Sequence, residues 1–290
     1  MAQKETVIVT GGAGLVGSSL IELLVKNYRV VSLDNYFIGK EESHIEGVEY
    51  VKGHTKDIET LLSHEKPKII FHLGEYSRIE QSFDDIAKVW ELNVEGTFRV
   101  LEYWRKRSCK LVYAGSSTKF ADDGTGRNQS PYAWMKAANT ELVTNYGAWF
   151  GLPYAITYFH NVYGARELSD GPYASVIGKF KEQYWKGEPL TVVSPGTQKR
   201  YFTHADDIAN GLVLVGEKGE GDGYGIGSSE AVAIIDLATM FMDKIEMLPE
   251  RKGNRMDGRA DTSRVEKELG WKPQHNVRDY IESLKKQKTK

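Results

Sequence analysis

The feature that most constrains this chain is a group of glycines between a short β-branched run and an amphipathic stretch. Residues 6–10 read as a buried strand, and residues 14–26 have the apolar spacing of a helix. The turn between them reads as GxxGxxG and, starting one residue later, as GxGxxG. Glycine permits the tight turn and lets backbone N–H groups at the helix N-terminus approach a pyrophosphate. The turn therefore predicts a dinucleotide site formed by Gly11, Gly14, Leu15, Val16 and Gly17. The alternative is a glycine-rich turn without a ligand.

The same alternation of short strand and longer helix continues along the first half of the chain. Strand-like runs follow at residues 29–33, 48–52, 68–73, 110–114 and 154–159, and long helical stretches at 82–107 and 130–150. Parallel strands joined by helices form one sheet covered on both faces. We therefore predict an α/β fold with a Rossmann-type doubly wound parallel sheet over residues 1–161. A smaller C-terminal substrate-binding lobe is expected over residues 162–290, with returns to the main sheet.

Composition excludes several classes of function. The 290 residues carry a net charge of −2, with Lys and Arg scattered along the chain, which is no footprint for nucleic acid or an anionic membrane. Cys109 is the only cysteine, so we expect no intrachain disulfide and no metal site built on thiolates. No apolar stretch has the length needed to cross a bilayer. We expect a cytoplasmic protein without a metal, with no nucleic acid or membrane partner.

Asp34 closes the second predicted strand, where an acidic residue hydrogen-bonds the adenosine ribose of a dinucleotide. A carboxylate there repels a 2′-phosphate, and the residues that come after it are Asn35 and Tyr36 rather than arginine. We therefore predict NAD rather than NADP as the cofactor, with Asn35 beside it. A turn-forming Asp-Asn pair is the alternative interpretation.

A YxxxK pattern opens the predicted helix over residues 130–150. The spacing places Tyr132 and Lys136 on one helical face, one turn apart. Alone, such a pair indicates no more than a surface contact. Its weight comes from three other features in the same chain: the glycine turn, the serine-rich strand end at residues 114–118, and the segment Asn161-Val162-Tyr163-Gly164 after the next strand.

Together these motifs resemble the extended short-chain dehydrogenases, a family of nucleotide-sugar 4-epimerases, 4,6-dehydratases, decarboxylases and 4-ketoreductases. The resemblance covers nearly the whole chain. It also includes Phe71-His72-Leu73, residues 93–97, Arg200, Asp206-Asp207, Asp261 and residues 269–273. It implies a nucleotide-diphosphate sugar as substrate and a homodimer formed through helices 82–107 and 130–150.

The resemblance also implies catalytic roles for three residues. Tyr132 is the general base, which takes a proton from a sugar hydroxyl while the adjacent carbon gives a hydride to nicotinamide. A free tyrosine titrates near pH ~10, so a cationic Lys136 is expected to lower that pKa and to hold the nicotinamide ribose. Ser116 is expected to hydrogen-bond the reacting oxygen.

The same resemblance implies further binding residues. Thr55 is expected to take over an adenine contact, because His54 replaces the family's first acid in Gly53-His54-Thr55-Lys56-Asp57. The other expected cofactor contacts are Leu73, Gly74 and Asn93. The expected substrate contacts are Ser116, Ser117, Asn161, Arg200, Arg251 and Gly258. A small residue at Gly258 is expected to admit N-acetylated sugars, although a glycine chosen for a turn is nearly as good an interpretation.

The chain departs from the family pattern close to the expected nicotinamide site. Gly74-Glu75 replaces the usual Ala-Ala, Tyr158 replaces an arginine, and His160 is an unusual neighbour. Glu75 is interpreted either as an additional acid or base or, preferably, as a carboxylate that satisfies hydrogen bonds of its loop.

The two residues after the catalytic serine distinguish between the reactions of the family. A dehydratase has Asp-Glu at that place, whereas this chain has Ser117 and Thr118, and neither hydroxyl is a competent acid or base near neutral pH. Ketoreductases generally use NADPH, which Asp34 opposes. The prediction is an NAD-dependent nucleotide-sugar 4-epimerase. The alternatives are a dehydratase or 4-ketoreductase of the same family, and a non-catalytic NAD-binding sensor or scaffold.

Overall fold

The computed structural model of the protein describes residues 4–117, 126–159, 161–250 and 261–288. Its strands are β1 (Thr6–Thr10), β2 (Arg29–Asp34), β3 (Glu49–Lys52), β4 (Pro67–His72), β5 (Lys110–Ser116), β6 (Tyr154–Phe159), β7 (Val162–Tyr163), β8 (Leu190–Val193), β9 (Lys199–Tyr201), β10 (Thr203–His204), β11 (Gly221–Gly225), β12 (Ala231–Ala233) and β13 (Ile245–Leu248). Its helices are α1 (Leu15–Leu24), α2 (Ile58–Leu61), α3 (Ile86–Val89), α4 (Gly96–Arg105), α5 (Pro131–Phe150), α6 (Val176–Lys186), α7 (Ala205–Lys218), α8 (Ile234–Phe241), α9 (Ser263–Leu269) and α10 (Val277–Lys288).

The centre of the molecule is a seven-stranded sheet in the order β11-β6-β5-β4-β1-β2-β3. All of its strand pairs are parallel. The predicted Rossmann-type sheet is therefore confirmed. The long helix expected over residues 82–107 is broken into a 3₁₀ turn, α3, a π-helical segment at Trp90–Glu95 and α4.

Helices cover both faces of this sheet, and β1 shows why. Successive strand side chains point to opposite faces. Val7 and Val9 pack with α1 and α7, whereas Ile8 packs with α2, α4 and α5 on the other side. All three side chains are fully buried. A strand buried on both faces needs apolar side chains on both, and the three central residues of β1 supply them.

The second half of the chain forms a smaller core and also returns to the main sheet. Apolar side chains of α6, α8, α10 and β8 pack together in a separate cluster. Strand β11 pairs with β6, and helix α7 packs against the sheet beside α1. Tyr158 lies on β6 and donates a hydrogen bond to Asp222 on β11 (2.6 Å). No helix in the described residues combines the length and apolarity that crossing a bilayer requires.

The carboxyl ends of the parallel strands meet at one edge of the sheet. Asp34 ends β2, His72 ends β4 and Ser116 ends β5. The strand order reverses beside β1, since chain connections run one way to β2 and β3 and the other way to β4 and β5. Ligands of open α/β sheets bind at such a point.

Candidate active site

A cleft of about 710 Å³ opens at the carboxyl edge of the sheet. Most of the site residues expected from the sequence line it: Gly11, Gly14, Leu15, Val16, Gly17, Asp34, Asn35, Thr55, Leu73, Gly74, Ser116, Ser117, Tyr132, Lys136, Asn161 and Arg200. Residues far apart in the chain are thus brought to one surface. Arg251 and Gly258, like Thr118 and His160, lie outside the described residues.

The glycine turn is packed so closely at Gly11 and Gly17 that a side chain has no room there. Gly11 has a φ of +74°, and a Cβ there would lie 2.8 Å from the Gly74 backbone. A Cβ on Gly17 would lie 2.1 Å from the carbonyl oxygen of Gly11. Gly14 is the N-cap of α1 and offers no side chain to it. The N–H groups of the first helical turn therefore face the cleft, as a pyrophosphate site requires.

The polar groups of the cleft beyond this turn fit a dinucleotide. Asp34 is 7% exposed and accepts hydrogen bonds from the N–H groups of Ala13 (2.9 Å) and Tyr36 (2.8 Å). Burial raises the pKa of Asp34, and the two N–H groups limit that rise. The buried hydroxyl of Thr55 lines the cleft and has no hydrogen-bond partner among the described residues. A buried orphan hydroxyl is costly without a ligand.

Two residues near the expected cofactor site have structural roles. The Asn93 side chain accepts a hydrogen bond from the Tyr76 N–H (2.6 Å) and donates one to the Tyr76 carbonyl (3.1 Å), behind the cleft wall. Both ends of its amide are occupied, so Asn93 holds the loop after β4 and does not line the cleft. His54 accepts a hydrogen bond from the Lys56 N–H (2.9 Å) and caps a short 3₁₀ turn.

The start of α5 places the YxxxK pair in the cleft. Ser130 caps the helix by accepting a hydrogen bond from the Ala133 N–H (3.1 Å), and Pro131 occupies the first turn, where its missing N–H costs nothing. Tyr132 therefore lies in the first turn and Lys136 one turn later. Ser116, at the end of β5, lines the same cleft and lowers the pKa of Tyr132. The structure thus brings the three expected catalytic residues together.

The environment of Tyr132 opposes its ionisation. Burial raises the pKa of Tyr132 to about 12. The hydrogen bond with Ser116 lowers this pKa, the charge of Glu75 raises it, and that of Arg78 lowers it. The sequence predicts that Lys136 lowers the pKa of Tyr132, but in the structure the Lys136 ammonium is ion-paired with Glu75.

Glu75 is the largest departure of the site from the sequence-based expectation. Its carboxylate binds the ammonium of Lys136, which also donates to the Ala114 carbonyl. It further accepts hydrogen bonds from the side chains of Thr97 (2.8 Å), Tyr113 (3.1 Å) and Asn139 (2.9 Å). The preferred interpretation of Glu75 as a partner of its own loop is wrong, because its partners are side chains of α4, β5 and α5.

Sequence reasoning missed two residues of this region. Arg78 lines the cleft, donates a hydrogen bond to the Tyr173 carbonyl (2.8 Å) and has its pKa lowered by burial. Asn139 lies three residues after Lys136 and binds Glu75. Asn139 could have been found from helical spacing, because a residue three positions after Lys136 lies on the same face of α5. A lone arginine in a loop gives no comparable signal.

The second half of the chain also lines the cleft. Asn161 has a φ of +50°, a left-handed conformation that is uncommon for a residue with a side chain. Arg200 lies on β9, and its guanidinium donates a hydrogen bond to the Lys199 carbonyl (2.8 Å). Both residues line the same cleft as the glycine turn.

Comparison with known proteins agrees with this geometry. The chain is 29% identical to the UDP-glucose 4-epimerase of Mycolicibacterium smegmatis, over 92% of this chain and 93% of that protein. It is 30% identical to the UDP-N-acetyl-alpha-D-glucosaminuronate decarboxylase of Bacillus cytotoxicus, over 81% and 78%. The UDP-glucose 4-epimerase of Thermotoga maritima, solved with UDP-glucose, shares the fold with a TM-score of 0.91 at 24% identity, over 98% of this chain and 100% of that one.

The names of these relatives describe different reactions, an epimerisation and a decarboxylation. The model of the NAD dependent epimerase/dehydratase family matches residues 7–227, which include the glycine turn, Asp34, the YxxxK pair and Arg200. The expectation of NAD as cofactor is confirmed at the level of the family. The chain belongs to the NAD-dependent epimerase/dehydratase family.

Proposed function

We propose that this protein is an NAD-dependent nucleotide-sugar 4-epimerase that acts through a 4-keto intermediate. The observation that carries the proposal is that Ser116 and Tyr132 line one cleft, where Ser116 lowers the pKa of Tyr132, with Ser117 next in the chain where a dehydratase has its acid. A 4-epimerase needs one base and one donor to the reacting oxygen, and this pair supplies both.

The positions of these residues give each of them a step in the reaction. NAD, held by the glycine turn and Asp34, would supply the acceptor and donor of the hydride at the sugar C4. Tyr132 takes the proton of the C4 hydroxyl as the hydride leaves and gives it back when the hydride returns. Ser116 donates a hydrogen bond to the C4 oxygen and holds it in both steps. No net proton or electron is gained or lost, so epimerisation needs no further substrate.

The nucleotide-diphosphate sugar is proposed to bind between the two halves of the chain. Arg200 suits the diphosphate because a guanidinium binds phosphate oxygens in a bidentate manner. Ser117 and Asn161 line the same cleft and can contact the sugar or phosphate. Arg251 is proposed as a second phosphate ligand and Gly258 as the space that admits a 2-acetamido group. Both of these proposals rest on the sequence.

The proposed reaction is tested by assaying UDP-, GDP-, dTDP- and CDP-sugars, plain and N-acetylated, for interconversion of the C4 epimers. We expect UDP-glucose or UDP-N-acetylglucosamine to be converted to its C4 epimer without added oxidant. Release of water or CO₂ from a substrate would indicate the dehydratase or decarboxylase reaction of the relatives. Tight NAD binding without turnover of any sugar in the panel would indicate a sensor.

Asp34 provides a test of cofactor choice. Asp34→Ala is expected to weaken NAD binding roughly tenfold to a hundredfold, because a charged acceptor for the ribose hydroxyls is lost. NADP binding should suffer less, since the repulsion of its 2′-phosphate disappears as well. Asp34→Asn is the matched control, because it removes the charge but keeps one of the two acceptor oxygens that bind the N–H groups of Ala13 and Tyr36. An unchanged ratio of NAD to NADP affinity in Asp34→Ala contradicts this role.

We also propose a homodimer formed through α4 and α5. Large apolar side chains are exposed on this side of the molecule: Trp90 (45%), Phe98 (42%), Trp134 (44%) and Trp149 (61%). Phe98 lies on α4, and Trp134 and Trp149 lie on α5, so both helices carry exposed apolar side chains that a helix pairing across a two-fold axis could bury.

Sedimentation equilibrium measures the assembly directly. We expect twice the chain mass of 32.7 kDa for the wild type and a monomer for Phe98→Glu, which places a charge in the interface. Trp185→Glu on α6 is the control, since Trp185 is equally exposed (45%) but lies on another surface. A wild-type monomer rules out this assembly.

A further inference from the structure

The Glu75–Lys136 ion pair is buried at the centre of the site. The exposed fractions of the two side chains are 3% and 5%. A charge removed from water is tolerated when it is paired and hydrogen-bonded, and both conditions hold here. The pair links the loop after β4 to the helix that carries Tyr132, so it lies within the machinery proposed above.

We infer that Glu75 is a positioning residue, whose carboxylate fixes the Lys136 ammonium in the wall of the cleft and compensates its charge beside Tyr132. The effect on catalysis rests on the proposed function, whereas the ion pair itself does not. Glu75 thereby separates two tasks of Lys136. The ammonium stays in place as a donor at the cleft, but its pull on the ionisation of Tyr132 is weakened.

The carboxylate is held rigidly enough for this task. One oxygen accepts hydrogen bonds from Thr97, Tyr113 and Asn139, and the other binds Lys136. Beyond Thr97 the chain of hydrogen bonds continues through the ring of His72 (2.9 Å). Partners on both oxygens leave the carboxylate little freedom to rotate, so the ammonium has one position rather than several.

The network of hydrogen bonds then reaches the loop after β4, which lines the cofactor site. His72 contacts the hydroxyl of Thr10 (2.7 Å), which accepts hydrogen bonds from the N–H groups of Leu73 (3.2 Å) and Gly74 (3.0 Å). Burial lowers the pKa of His72 to about 4, so its ring is neutral at working pH. Glu75 therefore connects Lys136 to the wall of the cofactor site through neutral groups.

The charges that face the pair determine the expected effect of pH. Burial lowers the pKa of Lys136, and Glu75 opposes that fall. Besides Glu75, Lys136 faces the ring of Tyr113 (4.5 Å to the centroid), and its charge also reaches His72. Tyr132 faces Ser116, Glu75 and Arg78. Removing the Glu75 charge thus lowers the pKa of both Lys136 and Tyr132.

The first experiment measures kcat/KM against pH for the wild type and Glu75→Gln. Both limbs of the profile are expected to move to lower pH by about 1 unit, because loss of the Glu75 charge lowers the pKa of Tyr132 and the pKa of Lys136. Glu59→Gln, a carboxylate change on the exposed surface, is the control and should leave both limbs in place. Limbs that stay in place in Glu75→Gln, with only a uniform loss of rate, overturn the inference.

The second experiment needs no activity and also covers a variant that folds poorly. Urea unfolding midpoints are compared for wild type, Glu75→Gln, Lys136→Met and the double variant. Each single change leaves an unpaired buried group, so the double variant is expected to unfold at higher urea than Lys136→Met alone. If the losses in the unfolding midpoint of the two single variants add up in the double variant, the two side chains do not stabilise each other and the ion pair is ruled out. If the wild type converts no sugar nucleotide, the proposed function fails, yet this comparison still tests the pair.

Discussion

Tyr132→Phe is expected to lower turnover of the sugar nucleotide by at least ~10²-fold while the protein stays folded and binds NAD. The change removes the hydroxyl that is the proposed base, beside Ser116 in the cleft. It retains the ring, which packs against Tyr76, Leu92 and Met135. Because the packing survives, a fall in rate reports on the hydroxyl and not on the fold.

The measurement is kcat on the best substrate of the panel, with NAD affinity and the unfolding midpoint recorded on the same samples. Tyr28→Phe is the matched control. Its hydroxyl makes one exposed hydrogen bond to Glu217 (3.3 Å), remote from the cleft, so wild-type turnover is expected. Wild-type turnover by Tyr132→Phe would show that this hydroxyl is not the base.

The fold and the cofactor turn could be predicted because their signals are local in the sequence. Strands β1 and β2, with the glycines between them, lie within the first 34 residues. The residues that form each strand-to-helix turn are neighbours in the chain. Parallel strands then have few arrangements, since connections between them are right-handed. The carboxyl ends of these strands could therefore be expected to meet at one edge.

The chemistry around Lys136 could not be predicted in the same way. Glu75 and Lys136 are 61 residues apart, and nothing in the spacing of either residue points to the other. The family pattern usually has Ala at this position, so it shows that Glu75 is unusual but does not indicate its partners. Its role depends on how deeply the loop after β4 enters the fold, which the Asn93 contacts to Tyr76 determine.

The helix predicted over residues 82–107 shows what apolar periodicity does not reveal. The apolar spacing over residues 82–107 predicts one helix, but Trp90–Glu95 is π-helical. Asn93 lies in that segment and is fully buried. A period of 3.6 residues reports which side of a helix is apolar, and it does not report a local change of winding.

Gly17→Ala is expected to lower the free energy of unfolding by about 3 kcal/mol and to abolish NAD binding, because there is no space for a methyl group. Its Cβ would lie 2.1 Å from the Gly11 carbonyl oxygen and 2.7 Å from the Gly12 Cα. Both atoms belong to the backbone, so relief requires α1 to move away from β1.

That movement is costly, because α1 contributes Leu20, Ile21 and Leu24 to the core.

Gly14→Ala separates the effect on the fold from the effect on the ligand site. Its Cβ would lie 3.4 Å from the same oxygen, an ordinary contact, and its φ is −80°. It is expected to unfold within about 1 kcal/mol of the wild type, yet to bind NAD more weakly, since a methyl group enters the space of the pyrophosphate. Urea unfolding followed by tryptophan fluorescence, with NAD titration of the same variants, distinguishes them. Equal stability losses would mean that the close approach at Gly17 is not what requires glycine there.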